Sequence, residues 1–136
     1  MNLTHGSYTR YANLCGGPAS FAGCNVPNLQ AALSYEKTYP KGPFIEDTLI
    51  TLGEFYDDLF KALTEDKQRY KYACFSRYIK IQPVTEQREL ARNLALHYYN
   101  SVLALGSDNQ ASNRFIAESK RNLESGKSTG WYFCGD

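Results

Sequence analysis

The most extended pattern of apolar and polar positions in the chain runs from Val84 to Leu105. At 100° per residue, Leu90, Leu94, Ala95, Tyr98, Val102 and Leu105 share one broad arc, and Leu96, Tyr99 and Leu103 share another. The second half of such a helix is apolar nearly all round, which predicts a central helix surrounded by others. Thr85 is the expected N-cap, with Val84 as a staple, Glu86 and Glu89 in the first turn and Gly106 as the stop. The polar exceptions, His97, Asn100 and Ser101, form one narrow strip.

Four further helices are predicted around this one. Asn25 as cap and Pro27 near the first position open a helix to about Thr38, with Val26, Leu29, Ala32 and Leu33 on its apolar side, and Pro40 ends it. From Phe44 to about Thr64 the pattern is the most amphipathic in the chain. Ile45, Leu49, Leu52, Tyr56, Leu59 and Leu63 fall within about 80° of arc, opposite Glu46, Asp47, Glu54, Asp57, Asp58, Lys61 and Glu65. A third stretch, 66–81, puts Tyr70, Cys74, Tyr78 and Ile81 on one stripe and ends before Pro83. The last helix, capped by Ser107 or Asp108, runs to about Glu124 with Ala111, Phe115, Ile116 and Leu123 inward, and Gly126 stops it.

The ends are irregular. Residues 1–25 carry Gly6, Gly16, Gly17, Pro18 and Gly23 among Tyr8, Tyr11, Leu14 and Phe21, the pattern of an arm held by aromatic anchors. The tail 126–136 contains Trp131, Tyr132 and Phe133 in a row, an adhesive patch unless it packs on the bundle. The expectation is therefore an all-α, single-domain bundle of about five helices, with an arm (1–25), a bundle (26–125) and an anchored tail (126–136).

Length and composition agree with one folded domain. A chain of 136 residues, 43% hydrophobic and 21% charged, is large enough to bury about two-thirds of the surface its unfolded chain exposes. The net charge of +1 gives no global field to attract nucleic acid or a membrane surface. No apolar run approaches the roughly 20 residues needed to cross a bilayer. The first residues, Met1-Asn2-Leu3-Thr4-His5, show neither a basic start nor an apolar leader, so export implies a leader already removed.

The four cysteines change the expected compartment. Cys15, Cys24, Cys74 and Cys134 are even in number, and one stands near the C-terminus. Of the three possible connectivities, Cys15–Cys24 and Cys74–Cys134 are favoured, closing a short loop and pinning the tail. Chain entropy assigns them about 3 and about 4 kcal/mol. Bridges place the protein in the periplasm or outside the cell. Four reduced thiols would place it in the cytosol. No pair has the C-x₂₋₄-C spacing of a zinc site, and no cofactor or metal is implied.

Candidate chemistry is sparse. Ser34-x-x-Lys37, Ser107-Asp108-Asn109 and Lys127-Ser128-Thr129-Gly130 mimic the set found in serine β-lactamases, but no strand precedes Lys127 and the chain is roughly half the size such a site needs. Gly126-Lys127-Ser128 ends like a phosphate loop whose first glycine is replaced by Arg121. His97 is the one candidate general base, and a hydrogen-bonded interior histidine is the competing reading.

Charge distribution points instead to a partner. Residues 45–66 hold seven acids and one base, whereas residues 67–92 hold seven bases and two acids. Eleven tyrosines, among them Tyr35, Tyr39 and Tyr99, exceed what the core stripes require, and tyrosine suits binding surfaces. Glu54, Asp57, Asp58 and Glu65 are accordingly expected to form an acidic face that meets a basic protein. The function expected is a non-enzymatic binder, such as an inhibitor or immunity protein acting on an envelope or secreted enzyme. The alternatives are a small hydrolase centred on His97 and a cytosolic phage or plasmid accessory protein.

Overall fold

A computed structural model describes residues 28–64, 75, 83–130, 132 and 133. They contain four helices, α1 (Leu29–Thr38), α2 (Ile45–Thr64), α3 (Val84–Ala104) and α4 (Gln110–Glu124), with no strand among the described residues. The all-α class is as expected. Of the predicted helix over 66–81 only Phe75 is described; it is helical and fully buried against Phe55, ring centroids 5.5 Å apart. The N-terminal arm and Cys15, Cys24, Cys74 and Cys134, with both proposed bridges, lie outside the described residues.

Local chemistry sets the helix ends. Asn28, not Asn25, caps α1 by accepting from the Ala31 amide at 3.1 Å. Asn109, one residue beyond the expected caps, accepts from the Ser112 amide at 3.1 Å and opens α4. Thr85 is not the cap of α3: the helix begins at Val84 after Pro83, with no side-chain cap. Both predicted glycine stops are left-handed, Gly106 at φ 65° and Gly126 at φ 82°. At the second, Gly126 N–H donates to the Leu123 carbonyl and Lys127 N–H to the Asn122 carbonyl, the paired bonds of a Schellman turn.

Side-chain bonds and contacts between helix ends fix the directions of α2, α3 and α4. Arg92, near the start of α3, donates from Nε to the Leu123 carbonyl at 2.6 Å and from Nη2 to the Glu124 carbonyl at 3.1 Å, so α3 and α4 run antiparallel. The α4 end also lies beside Phe60 and Thr64 at the end of α2, which makes α2 antiparallel to α3 as well. Arg92 thus supplies a cation and two donors to a helix end whose carbonyls need both. The Tyr35 hydroxyl accepts from the Phe44 amide at 3.0 Å and closes the turn between α1 and α2.

The central helix is α2, which corrects the expectation that Val84–Leu105 holds that place. In α2, 12 of 20 residues are buried; in α3, 6 of 21. The predicted stripe is inside or half-inside, but Phe55, Phe60, Ala62, Gly53, Asp57 and Asp58 on the other sides are buried too. In α3, Ala95, Tyr98, Tyr99 and Val102 face the core while Leu90 is 59% exposed and Leu105 42%. In α4 the buried face is Ile116, Ser119 and Leu123; Phe115 and Ala111 are exposed. Tyr35 and Tyr99, counted among the surplus surface tyrosines, are both fully buried.

Gly53 explains how closely α2 and α3 approach. A Cβ built there would stand 2.5 and 2.6 Å from two carbons of the Tyr99 ring, so only a hydrogen fits. The ring lies over the glycine and its hydroxyl reaches the carboxylate one helical turn further on, that of Asp57.

Candidate functional site

Asp57 and Asp58 are adjacent on α2, and both are fully buried. Their carboxyl groups accept hydrogen bonds from residues far along the chain. Asp57 accepts from the Tyr99 hydroxyl through Oδ2 at 2.8 Å and from the Ser128 hydroxyl through Oδ1 at 2.7 Å. Asp58 accepts from the Tyr132 amide at 2.9 Å on each oxygen and from the Phe133 amide on Oδ2 at 2.8 Å. The two carboxyl groups therefore clamp the C-terminal segment onto α2, with α3 contributing Tyr99. The segment is secured to α4 as well: Asn122 Nδ2 donates to Thr129 Oγ1 at 3.0 Å, and the Ser119 and Tyr132 hydroxyls lie 3.4 Å apart. Phe133 is only 6% exposed and joins the core.

Burial dominates the electrostatics of this cluster. Desolvation pushes the Asp57 carboxyl up to about 6, against the opposing pull of its Ser128 and Tyr99 hydrogen bonds and of Lys61. Desolvation pushes Asp58 up to about 8; the Phe133 and Tyr132 amides favour its ionised form, while the charges of Asp57 and Glu54 add to the rise. Two buried carboxyls this close titrate as one unit. Near neutrality the pair carries about one negative charge. The Tyr99 phenol is pushed far up by burial and by Asp57, and Tyr132 to about 12, so both remain protonated donors.

Of the predicted acidic binding face, Asp57 and Asp58 are buried. Asp57 and Asp58 point into the protein and are engaged by its own tail, because the tail amides and Tyr99 hydroxyl replace the water a carboxylate would otherwise keep. Glu54 is half-buried on the same helix, and Glu65 lies outside the described residues. The signal for an inward pair is local: Phe55-Tyr56-Asp57-Asp58-Leu59-Phe60 sets the acids between aromatic and aliphatic neighbours. Their partners are 42 to 75 residues away, beyond the reach of helical periodicity.

His97 is exposed, which overturns its interior reading. Its ring meets Tyr98 edge-on at 5.0 Å, and the nearby Ser101 hydroxyl donates to the His97 carbonyl at 2.9 Å. The better geometric candidate for a nucleophile is Ser128, which is bonded to Asp57 and lines a cleft of about 300 Å³ with Phe60, Lys61, Thr64, Gly126 and Lys127. Acyl transfer there needs N–H donors aimed at a developing oxyanion. The Gly126 and Lys127 amides are already taken up by the Schellman turn. Ser107, Asp108 and Asn109, the fragment that mimics a catalytic triplet, form a helix cap in which Asn109 N–H donates to Ser107 Oγ at 3.1 Å. Among the described residues no group of three or more His, Cys, Asp or Glu side chains is placed to hold a metal ion.

No protein-family model matches this chain, and neither a curated protein nor a solved structure matches it.

Proposed function

We propose that the protein is a non-enzymatic protein-binding module, of the inhibitor or immunity type, working in an oxidising compartment. The observation that carries this reading is the outward strip of α3. Leu90, Asn93, His97, Asn100 and Ala104 recur at intervals of three and four, share one side of the helix and are all exposed, with no Lys, Arg, Asp or Glu among them. The exposed side of α4 is of the ordinary kind, with Arg114, Glu118, Arg121 and Glu124. Exposed Glu86 and Glu89 border the strip at its Leu90 end, and from there to Ala104 it has the depletion of charge that marks the centre of a protein interface. Leu90, at 59% exposure, is the apolar anchor of the strip, and the amides and imidazole around it are hydrogen-bonding groups at low desolvation cost. The compartment rests on the four cysteines.

A capture experiment with variants tests it. Wild-type protein and Leu90→Lys, Asn93→Lys and Arg114→Glu variants are immobilised and exposed to extract from the source cells. A partner held by wild type and Arg114→Glu but lost by the two α3 variants supports the assignment. Equal retention by all four removes α3 from the interface. Alkylation without reductant and intact mass measurement decide the compartment, since four modified cysteines exclude the oxidising one.

A further inference from the structure

The uncharged strip of α3 matches itself when turned end for end. We propose that a second copy of this chain docks on it, antiparallel, about a two-fold axis near His97. This rests on the reading of the strip as an interface and adds an occupant to it. Leu90, Asn93, His97, Asn100 and Ala104 follow one another at alternating steps of three and four residues, the spacing of a seam between two helices packed side by side. All five are exposed, whereas Ala91, Ala95, Tyr98, Tyr99 and Val102 face the core from the other side of α3. The strip is therefore the outer ridge of its helix.

Reversal about His97 sets large against small and amide against amide, as a two-fold interface requires of a single patch. Leu90 and Ala104 both stand seven residues from His97, so the leucine of one copy meets the alanine of the other at each end of the seam. Asn93 and Asn100 stand four and three residues from it, and two facing amides can each donate and accept. His97 meets its own counterpart, and imidazole in its neutral form offers one donor and one acceptor. With no Lys, Arg, Asp or Glu in the strip, no like charges oppose one another within the seam. A parallel pairing would set leucine against leucine at one end and alanine against alanine at the other, wedging the helices apart and forfeiting contact where they are thin.

The size of the seam sets its strength. From Leu90 to Ala104 it runs about 21 Å and is one helix, about 10 Å, wide, well short of the roughly 1,200 Å² that a standard interface buries, so the pairing is weak and reversible. Exposed Glu86 and Glu89 lie beyond the Leu90 end, over the C-terminal end of the other copy's α3, whose carbonyls repel them. Salt screens that repulsion, so association strengthens with ionic strength, the reverse of what an acidic face meeting a basic protein shows. Pairing covers the strip that a target would use. The dimer is the form in which the module is unavailable, and a target must displace the second copy.

Sedimentation velocity on the purified full-length protein, from about 10 μM to about 1 mM, reads the pairing with no other protein present. Wild type should move from monomer toward dimer across this range, and further when salt is added. Leu90→Glu should weaken association about tenfold or more, because it replaces the apolar anchor by a charge and aims that charge at the other copy's helix end. Adding Ala104→Lys to Leu90→Glu should recover most of the loss. The antiparallel register sets these opposite charges against each other across the seam, and within one copy they are about 21 Å apart, too far to pair. Both positions are exposed, so each variant should keep the wild-type melting curve. A wild type that stays monomeric throughout, undiminished association in Leu90→Glu, or no recovery in the double variant would each overturn the pairing. If wild type is monomeric yet captures a protein from extract that Leu90→Lys loses, the interface reading stands and only the second copy is removed from it.

Discussion

The inner side of α2 and the outer side of α3 invert the usual division of polarity. The first takes two acids, two threonines and a glycine out of water, and the second offers water a leucine, two asparagines and a histidine without a charge among them. The difference lies in available partners. At Asp57 and Asp58 five hydrogen bonds arrive from Tyr99, Ser128, Tyr132 and Phe133, so burial of a charge-bearing group is offset locally. Along Leu90, Asn93, His97, Asn100 and Ala104, His97 meets the ring of its neighbour Tyr98 edge-on. The inner region is held by mutual constraint and should respond strongly to small changes. The outer one should tolerate nearly any.

The largest effect should come from filling the space at Gly53. Tyr99 cannot swing aside, because its ring is fully buried and its hydroxyl is bonded to Asp57 at 2.8 Å. Gly53→Leu should therefore cost about 3 kcal/mol by overpacking, even though leucine is the better helix former. Chemical denaturation gives the loss. In a Tyr99→Ala background the same substitution should cost far less, and additivity of the two would dissociate the glycine from the ring.

Next in size is removal of one donor. Tyr99→Phe keeps the ring over Gly53 but removes one of the hydroxyl donors to Asp57. The Tyr99 bond favours the ionised carboxyl, so its loss pushes Asp57 still higher than about 6. The penalty should be about 2 kcal/mol at pH 8, where an ionised acceptor loses its donor, and nearer about 1 kcal/mol at pH 5. Urea midpoints at the two pH values measure it; a penalty larger at pH 5 would reverse the assigned direction.

How far these regions were legible in the sequence differs for the same physical reason. Periodicity located α2 to within a residue, because Leu49, Leu52, Leu59 and Leu63 report a core contact by themselves. Gly126 marked the end of α4 because only its backbone geometry mattered. Asp57 and Asp58 read as a solvated face, since what makes them interior is a tail that returns from more than 70 residues away. Leu90 erred in the opposite sense: its place on an apolar arc of the Val84–Leu105 helix put it in the core, but the partners of α3 lie on the side of Ala91, Ala95, Tyr98, Tyr99 and Val102. A helical wheel locates an apolar arc, and the neighbours decide how much of it is covered.

The smallest effect is predicted for His97, and it separates a binding face from a structural one. An interior, hydrogen-bonded histidine truncated to alanine costs about 1–3 kcal/mol when its partner is left unpaired. Here the imidazole is exposed, so His97→Ala should forfeit only the edge-on contact with Tyr98 and remain within about 0.5 kcal/mol of wild type. Its melting curve should overlay the wild-type curve at pH 5 and at pH 8, unlike that of Tyr99→Phe. Binding is where the residue should register, because an exposed ring two turns along the same strip from Leu90 can hydrogen-bond a partner while contributing little to the fold. Affinity for the captured partner, measured for His97→Ala alongside Leu90→Lys, should fall in both, with leucine the larger loss. Full affinity in His97→Ala would confine the contact to the Leu90 end of α3. A stability loss above 1 kcal/mol would instead return His97 to the interior network and remove the contrast between the two faces.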